Sequence, residues 1–201
     1  MNKTAIKNFA VWARRQLISE ISYKASLLGV TENGATEPLP QSTLDLQFFD
    51  IGTKNYMEVR GAAIAQRSAL VAAMTKKARE VEWKAAFQNV IEEVAYTWFN
   101  RLIAIRFMEI NDYLPSRLRV LSSESAGKLE PDFVSNPWEA DLDLTAEEEQ
   151  EVERLKDENK LDELFRMLFI RQCNKLHEIL PELFEETHDY TELLLTISFT
   201  D

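Results

Sequence analysis

The chain has 201 residues and a mass of 23.3 kDa, enough for one domain or two small ones. Its composition of 45% hydrophobic, 10% aromatic and 28% charged residues excludes wholesale disorder and a fibrous repeat. Five glycines and six prolines argue against a strand-rich fold full of tight turns, and Cys173, the one cysteine, excludes an internal disulfide framework and a Cys-based zinc site.

No apolar run reaches the roughly 18 residues of a membrane span. The first residues are mixed, with Arg14 and Arg15 among them, rather than a signal peptide. A cytoplasmic protein with no membrane partner is expected. The net charge of −11 is unevenly spread: residues 1–110 carry 14 Lys and Arg against 11 Asp and Glu, whereas residues 111–201 carry 9 against 23. An acidic whole repels nucleic acid at long range, yet a locally basic face can still meet phosphate.

The first predicted helix carries Ile6, Phe9, Ala13, Leu17, Ile21, Ala25 and Leu28 at three- and four-residue steps, which places them on one face. Thr4 is the expected N-cap and Gly29 the expected stop. Val11, Trp12 and Ile18 lie off that stripe, as in a helix packed on two sides or against something outside this chain. Residues 30–55 lose the period and carry Thr31, Asn33, Gly34, Pro38, Pro40 and Ser42. They read as a loop, with Leu46 to Ile51 a short extended or helical piece.

From Tyr56 to Asn111 the pattern is helical almost throughout, with one bent helix and two helices both compatible with it. Leu114-Pro115 ends it, because the residue before proline is pushed out of the α region. Residues 112–144 read as a linker, with Pro115, Gly127, Pro131, Pro137 and a Ser-Ser-Glu-Ser run at 122–125. Helix resumes at Thr145, where Thr145 and Glu148 have the spacing of a capping box and Glu147, Glu148 and Glu149 suit the positive end of a helix dipole. An amphipathic pattern then runs through Leu161, Leu164, Phe165, Leu168, Cys173, Leu176 and Leu180 to Pro181. The stretch from Leu193 to Phe199 is the most apolar, and its place at the end of the chain suggests a boundary within a longer protein. The expected fold is mainly α: one helical region over 1–201, with long, mildly basic helices in 1–111, a loop-rich 112–144 and acidic helices in 145–201.

Motifs for catalysis are missing. There is no phosphate-binding glycine loop, no dinucleotide fingerprint, no HExxH and no GxSxG. His177 and His188 are eleven residues apart without a second ligand at metal spacing, and Cys173 has no accompanying His-Asn pattern, so both chemistries are read as packing. Ser135-Asn136-Pro137-Trp138 looks like half of the Asn-Pro-Pro-aromatic loop of amino-methyltransferases, but one proline is absent and the string reads as a turn. No catalytic, cofactor-binding or metal-ligating residue is assigned.

Three strings carry a resemblance: Val94-Ala-Tyr-Thr-Trp-Phe-Asn-Arg-Leu-Ile-Ala-Ile-Arg-Phe-Met-Glu109, Asn111-Asp-Tyr-Leu-Pro-Ser-Arg117, and Leu193-Leu-Leu-Thr-Ile-Ser-Phe-Thr-Asp201. With Asn2-Lys-Thr-Ala-Ile-Lys-Asn-Phe-Ala10 and Arg14-Arg-Gln-Leu17, they closely resemble the N-terminal region of the PglX family. Those are adenine-specific DNA methyltransferases of BREX (bacteriophage exclusion) defence systems. The resemblance implies S-adenosylmethionine as cofactor of a full-length, several times longer protein, none being bound in this chain. It implies a non-catalytic helical domain, inactive alone, that braces the methyltransferase domain of the same protein and contacts double-stranded DNA. Lys76, Lys77, Arg79, Arg101, Arg106, Arg117 and Arg119 are the candidate DNA contacts. The alternative is a protein–protein interaction module docking other BREX components through Val11, Trp12, Ile18 and the Leu193–Phe199 run.

Overall fold

The computed structural model describes residues 2–185 and 189–199. Expectations that fall on His188, Thr200 and Asp201 therefore lie outside the described residues. The fold is mainly α, as the periodicity predicts, and its residues group into two compact units. Residues 1–99 and 187–196 form one, and residues 100–186 and 197–201 the other.

In the first unit, helix α1 (Lys3–Leu27) is followed by two antiparallel hairpins, β1 (Val30–Thr31) with β2 (Gly34–Ala35), and β3 (Leu46–Phe49) with β4 (Met57–Arg60). Helix α2 (Ala62–Lys77), residues 83–99 of helix α3 (Trp83–Ile110) and the short α7 (Tyr190–Leu193) complete it. The N-cap of α1 is Asn2, whose side-chain oxygen accepts from the Ala5 amide at 3.1 Å, rather than Thr4. Thr4 lies inside the helix because Asn2 already supplies the non-helical residue and the acceptor. Gly29 does stop α1, with φ +69°.

Only the second half of the α1 stripe is covered. Ile21, Ala25 and Leu28 are buried, but Ile6 and Phe9 are about half exposed, as are Val11 and Trp12. A 25-residue helix is about 37 Å long, and the described residues leave its first half exposed.

The expectation of helix from Tyr56 onward fails at β4, whose Met57–Arg60 pairs with Leu46–Phe49 in register Leu46↔Arg60. A glycine at φ +55°, Gly61, separates that strand from α2, and residues 78–82 separate α2 from α3. The core of this unit joins Phe49, Val59, Leu70, Met74, Val90, Ile91, Val94 and Trp98. Leu193, Leu194 and Leu195 are buried as well, so the docking face expected of the Leu193–Phe199 run is not exposed over these three residues. The Trp98 indole N–H donates to the Thr191 carbonyl at 2.9 Å, fixing α7 against α3.

The second unit contains residues 100–110 of α3, α4 (Asp132–Ser135), a 3₁₀ turn (Pro137–Ala140), α5 (Ala146–Asp157) and α6 (Leu161–His177). The stretch 112–144 is loop-rich, as expected, yet it is well packed: Leu114, Val120, Phe133, Val134, Ala140 and Leu142 are buried. Buried Glu109 ties the loop down by accepting from the Leu121 amide at 2.6 Å, from the Ser122 hydroxyl at 2.7 Å and from Arg106. The capping box at Thr145 and Glu148 is present with both of its hydrogen bonds. The helical pattern from Thr145 is broken at 158–160, where Asn159 has φ +55°, and α6 ends at His177 before Pro181 is reached.

Candidate nucleic-acid interface

The seven candidate cations fall into two groups. Lys76, Arg79 and Arg117 are exposed and make no ion pair among the described residues. The other four are engaged. Lys77 pairs with Glu93, and Arg106 with the buried Glu109. Arg119 donates to the Glu109 carbonyl and lies 3.5 Å from both Asp112 and Glu124. Arg101 occupies the packed face of α3, 1% exposed, and donates to the Glu185 carbonyl. Two arginines five residues apart cannot share a helix face, so Arg101 points inward and Arg106 outward.

Arg117 belongs to the second unit and adopts φ +58° in the turn after Leu114-Pro115. Lys76 and Arg79 belong to the first unit, where they line a cleft of about 570 Å³ along one face of α2. The face presents Ser68, Ala72, Thr75 and Arg79 at four-, three- and four-residue steps, and Ala35 to Pro38 with Gln47 form the opposite wall. Ser68 and Thr75 turn their hydroxyls back onto the Ile64 and Val71 carbonyls, so α2 keeps a shallow, small-residue surface here.

A further arginine lines the same cleft. Arg67 is 5% exposed; its Nε donates to the Leu28 carbonyl and its Nη2 to the Thr36 carbonyl, each at 2.7 Å. Its guanidinium lies 3.6 Å from the centroid of the Phe49 ring. Burial pushes this guanidinium down to about 10, against the Glu37 carboxylate, which pulls it up. Sequence reasoning passed over Arg67, although one signal was legible. At spacings of three and four it shares the stripe of Leu70 and Met74, the other buried residues of α2. An arginine on an apolar stripe is held there by partners.

Other chemistry-bearing residues are placed for packing. Cys173 is buried, and His177 Nδ1 lies 2.8 Å from the Phe184 carbonyl. Asn136 joins α4 to the 3₁₀ turn that Pro137 opens, with Pro137 buried and Trp138 half exposed. Among the described residues no group of three or more His, Cys, Asp or Glu side chains is placed to hold a metal ion. No helix among them is long and apolar enough to cross a membrane.

No protein-family model matches the chain. Among characterised proteins it is 43% identical over 206 residues to the adenine-specific methyltransferase PglX of Lacticaseibacillus casei (strain Zhang), covering the whole chain and 17% of that protein. It is 32% identical over 202 residues to the adenine-specific methyltransferase BrxX of Escherichia coli O9:H4 (strain HS), covering the whole chain and 16% of that protein. Among the described residues the strands form two separate antiparallel pairs and no parallel pair. The resemblance to PglX-type adenine-specific methyltransferases read from the sequence strings thus holds along the entire chain, which spans about a sixth of the length of those relatives.

Proposed function

We propose that this chain is the non-catalytic N-terminal helical domain of a site-specific adenine-N6 DNA methyltransferase acting in phage defence. It braces the catalytic domain of the same protein and contacts DNA. The observation that carries this reading is the match of the whole chain to about a sixth of PglX, joined to a mainly helical architecture with no parallel strand pair among the described residues. S-adenosylmethionine and the methyl-transfer chemistry belong to the remaining part of such a protein. The exposed, unpaired Lys76, Arg79 and Arg117 support contact with DNA backbone.

Two measurements test the division of labour. Purified chain incubated with labelled S-adenosylmethionine and adenine-containing duplex is expected to transfer no methyl group, and transfer above background would overturn the reading. In full-length PglX, deletion of the matching segment is expected to abolish or sharply reduce methylation, and undiminished methylation would remove the bracing role.

A second reading keeps one observation of its own. Ile6, Phe9, Val11 and Trp12 leave the first half of α1 apolar and exposed, as on a surface that docks other components of the defence complex. Changing Trp12 to Glu is expected to release such a component from a co-purified complex, and a complex of unchanged stoichiometry would count against this reading.

A further inference from the structure

The structure assigns the α2 cleft as a seat for the phosphodiester backbone of a nucleic-acid strand, with Arg67 in its wall and Lys76 and Arg79 along its edge. This rests on the reading that the domain meets DNA and deepens it by naming the surface.

Arg67 is the starting point. Its Nε and Nη2 are taken by two carbonyls, and its plane lies against Phe49, so the guanidinium is held in one place before any ligand arrives. Carbonyls and a ring fix its position but do not neutralise its charge. No carboxylate lies within 4 Å of it, and its Nη1 makes no hydrogen bond among the described residues. A desolvated guanidinium with no carboxylate in contact, acted on by Glu37 only from beyond 4 Å, is a costly arrangement, and the fork of an arginine matches phosphate oxygens. Being in the wall of an open cleft, this one can take its counter-charge from outside.

The spread of charge decides the kind of anion. Residues 67, 76 and 79 of α2 and its C-terminal flank extend over about 18 Å of helix. A lone phosphate meets one such cation, whereas a strand carries a charge roughly every 3.4 Å along its axis. Exposed Ser68 and Ala72 leave room between the cations for a backbone to approach. Among the described residues Glu37 is the sole acidic one lining the cleft, and it opposes the same ligand.

Fluorescein-labelled duplex DNA titrated with the purified chain, over a range of salt, tests the assignment. Lys76→Ala with Arg79→Ala, both at exposed positions, is expected to weaken binding at least ~10-fold and to lower the salt slope by about two. Glu37→Gln, also exposed, is expected to tighten binding about threefold by removing one like charge. Arg67→Lys, checked by thermal melting for retained fold, is expected to weaken binding. Duplex bound equally by wild type, the double variant and Glu37→Gln would overturn the cleft while leaving the DNA reading standing. No duplex bound by wild type would remove both. Adenosine monophosphate bound in a Glu37-dependent way, without duplex, would overturn a backbone strand in favour of a mononucleotide.

Discussion

At the scale of single residues, two positions show how little latitude the units allow. Gly29 has φ +69°, and a Cβ there would lie 2.1 Å from the Thr36 hydroxyl oxygen. That hydroxyl and the Thr36 amide both donate to the Gly29 carbonyl, at 3.2 and 2.8 Å, closing the turn that also positions the Thr36 carbonyl for Arg67. Gly29→Ala is expected to lose about 1–3 kcal/mol, from the left-handed backbone together with the clash. Adding Thr36→Ala should relieve the clash but not the backbone strain. Urea denaturation of both variants should therefore show partial recovery in the double variant; complete recovery would mean the backbone is unstrained. Glu109 is the second position. Its carboxylate is buried and accepts from a guanidinium, an amide and a hydroxyl. Glu109→Ala would remove the acceptor of the half-buried Leu121 amide and Ser122 hydroxyl and the partner of the exposed Arg106, at a cost of about 1–3 kcal/mol. A midpoint shift equivalent to less than 1 kcal/mol would show that the 119–122 loop is held by other contacts.

At the scale of elements, the start of α5 is the clearest device. The Thr145 hydroxyl accepts from the Glu148 amide at 3.3 Å, and the Glu148 carboxylate accepts from the Thr145 amide at 2.9 Å and pairs with Arg171 of α6. Partial burial alone would push Glu148 up. The Thr145 amide and Arg171 outweigh it, and the carboxyl lies below its ordinary value. A carboxyl lowered in the folded state adds stability above its unfolded pKa and loses it as pH falls through the folded value. Glu148→Gln is therefore expected to lower the melting temperature at pH 7 and to differ progressively less from wild type as pH falls below about 4. A difference that stays constant with pH would show that charge plays no part. This device was legible because a capping box is local: two residue types three positions apart determine it. Gly29 as a stop was legible for the same reason. The hairpins were not. β1 and β2 are two residues long, and β4 is a four-residue strand whose partner lies across residues 50–56, so no periodicity within either segment reports the pairing. Arg67 was overlooked because its partners, Leu28, Thr36 and Phe49, are remote in sequence.

At the scale of the whole molecule, charge sets the terms of the proposed contact with DNA. The chain carries −11 overall, whereas the α2 cleft is lined by three cations and one acid. Repulsion from the net charge acts over the Debye length, about 30 Å at 0.01 M salt and about 8 Å at 0.15 M. Attraction to Arg67, Lys76 and Arg79 acts at contact and weakens with salt through counterion release. The two effects oppose each other at low ionic strength, because adding salt screens the repulsion while it erodes the attraction. Above about 0.15 M the repulsion is largely screened and only the erosion remains. The logarithm of duplex affinity against the logarithm of salt should therefore be shallow below about 0.05 M and steepen above about 0.15 M. Fluorescence anisotropy from 0.01 to 0.3 M salt measures it directly. One steep straight line across the range would mean that repulsion from the net charge does not reach the bound duplex and that contact alone sets its affinity.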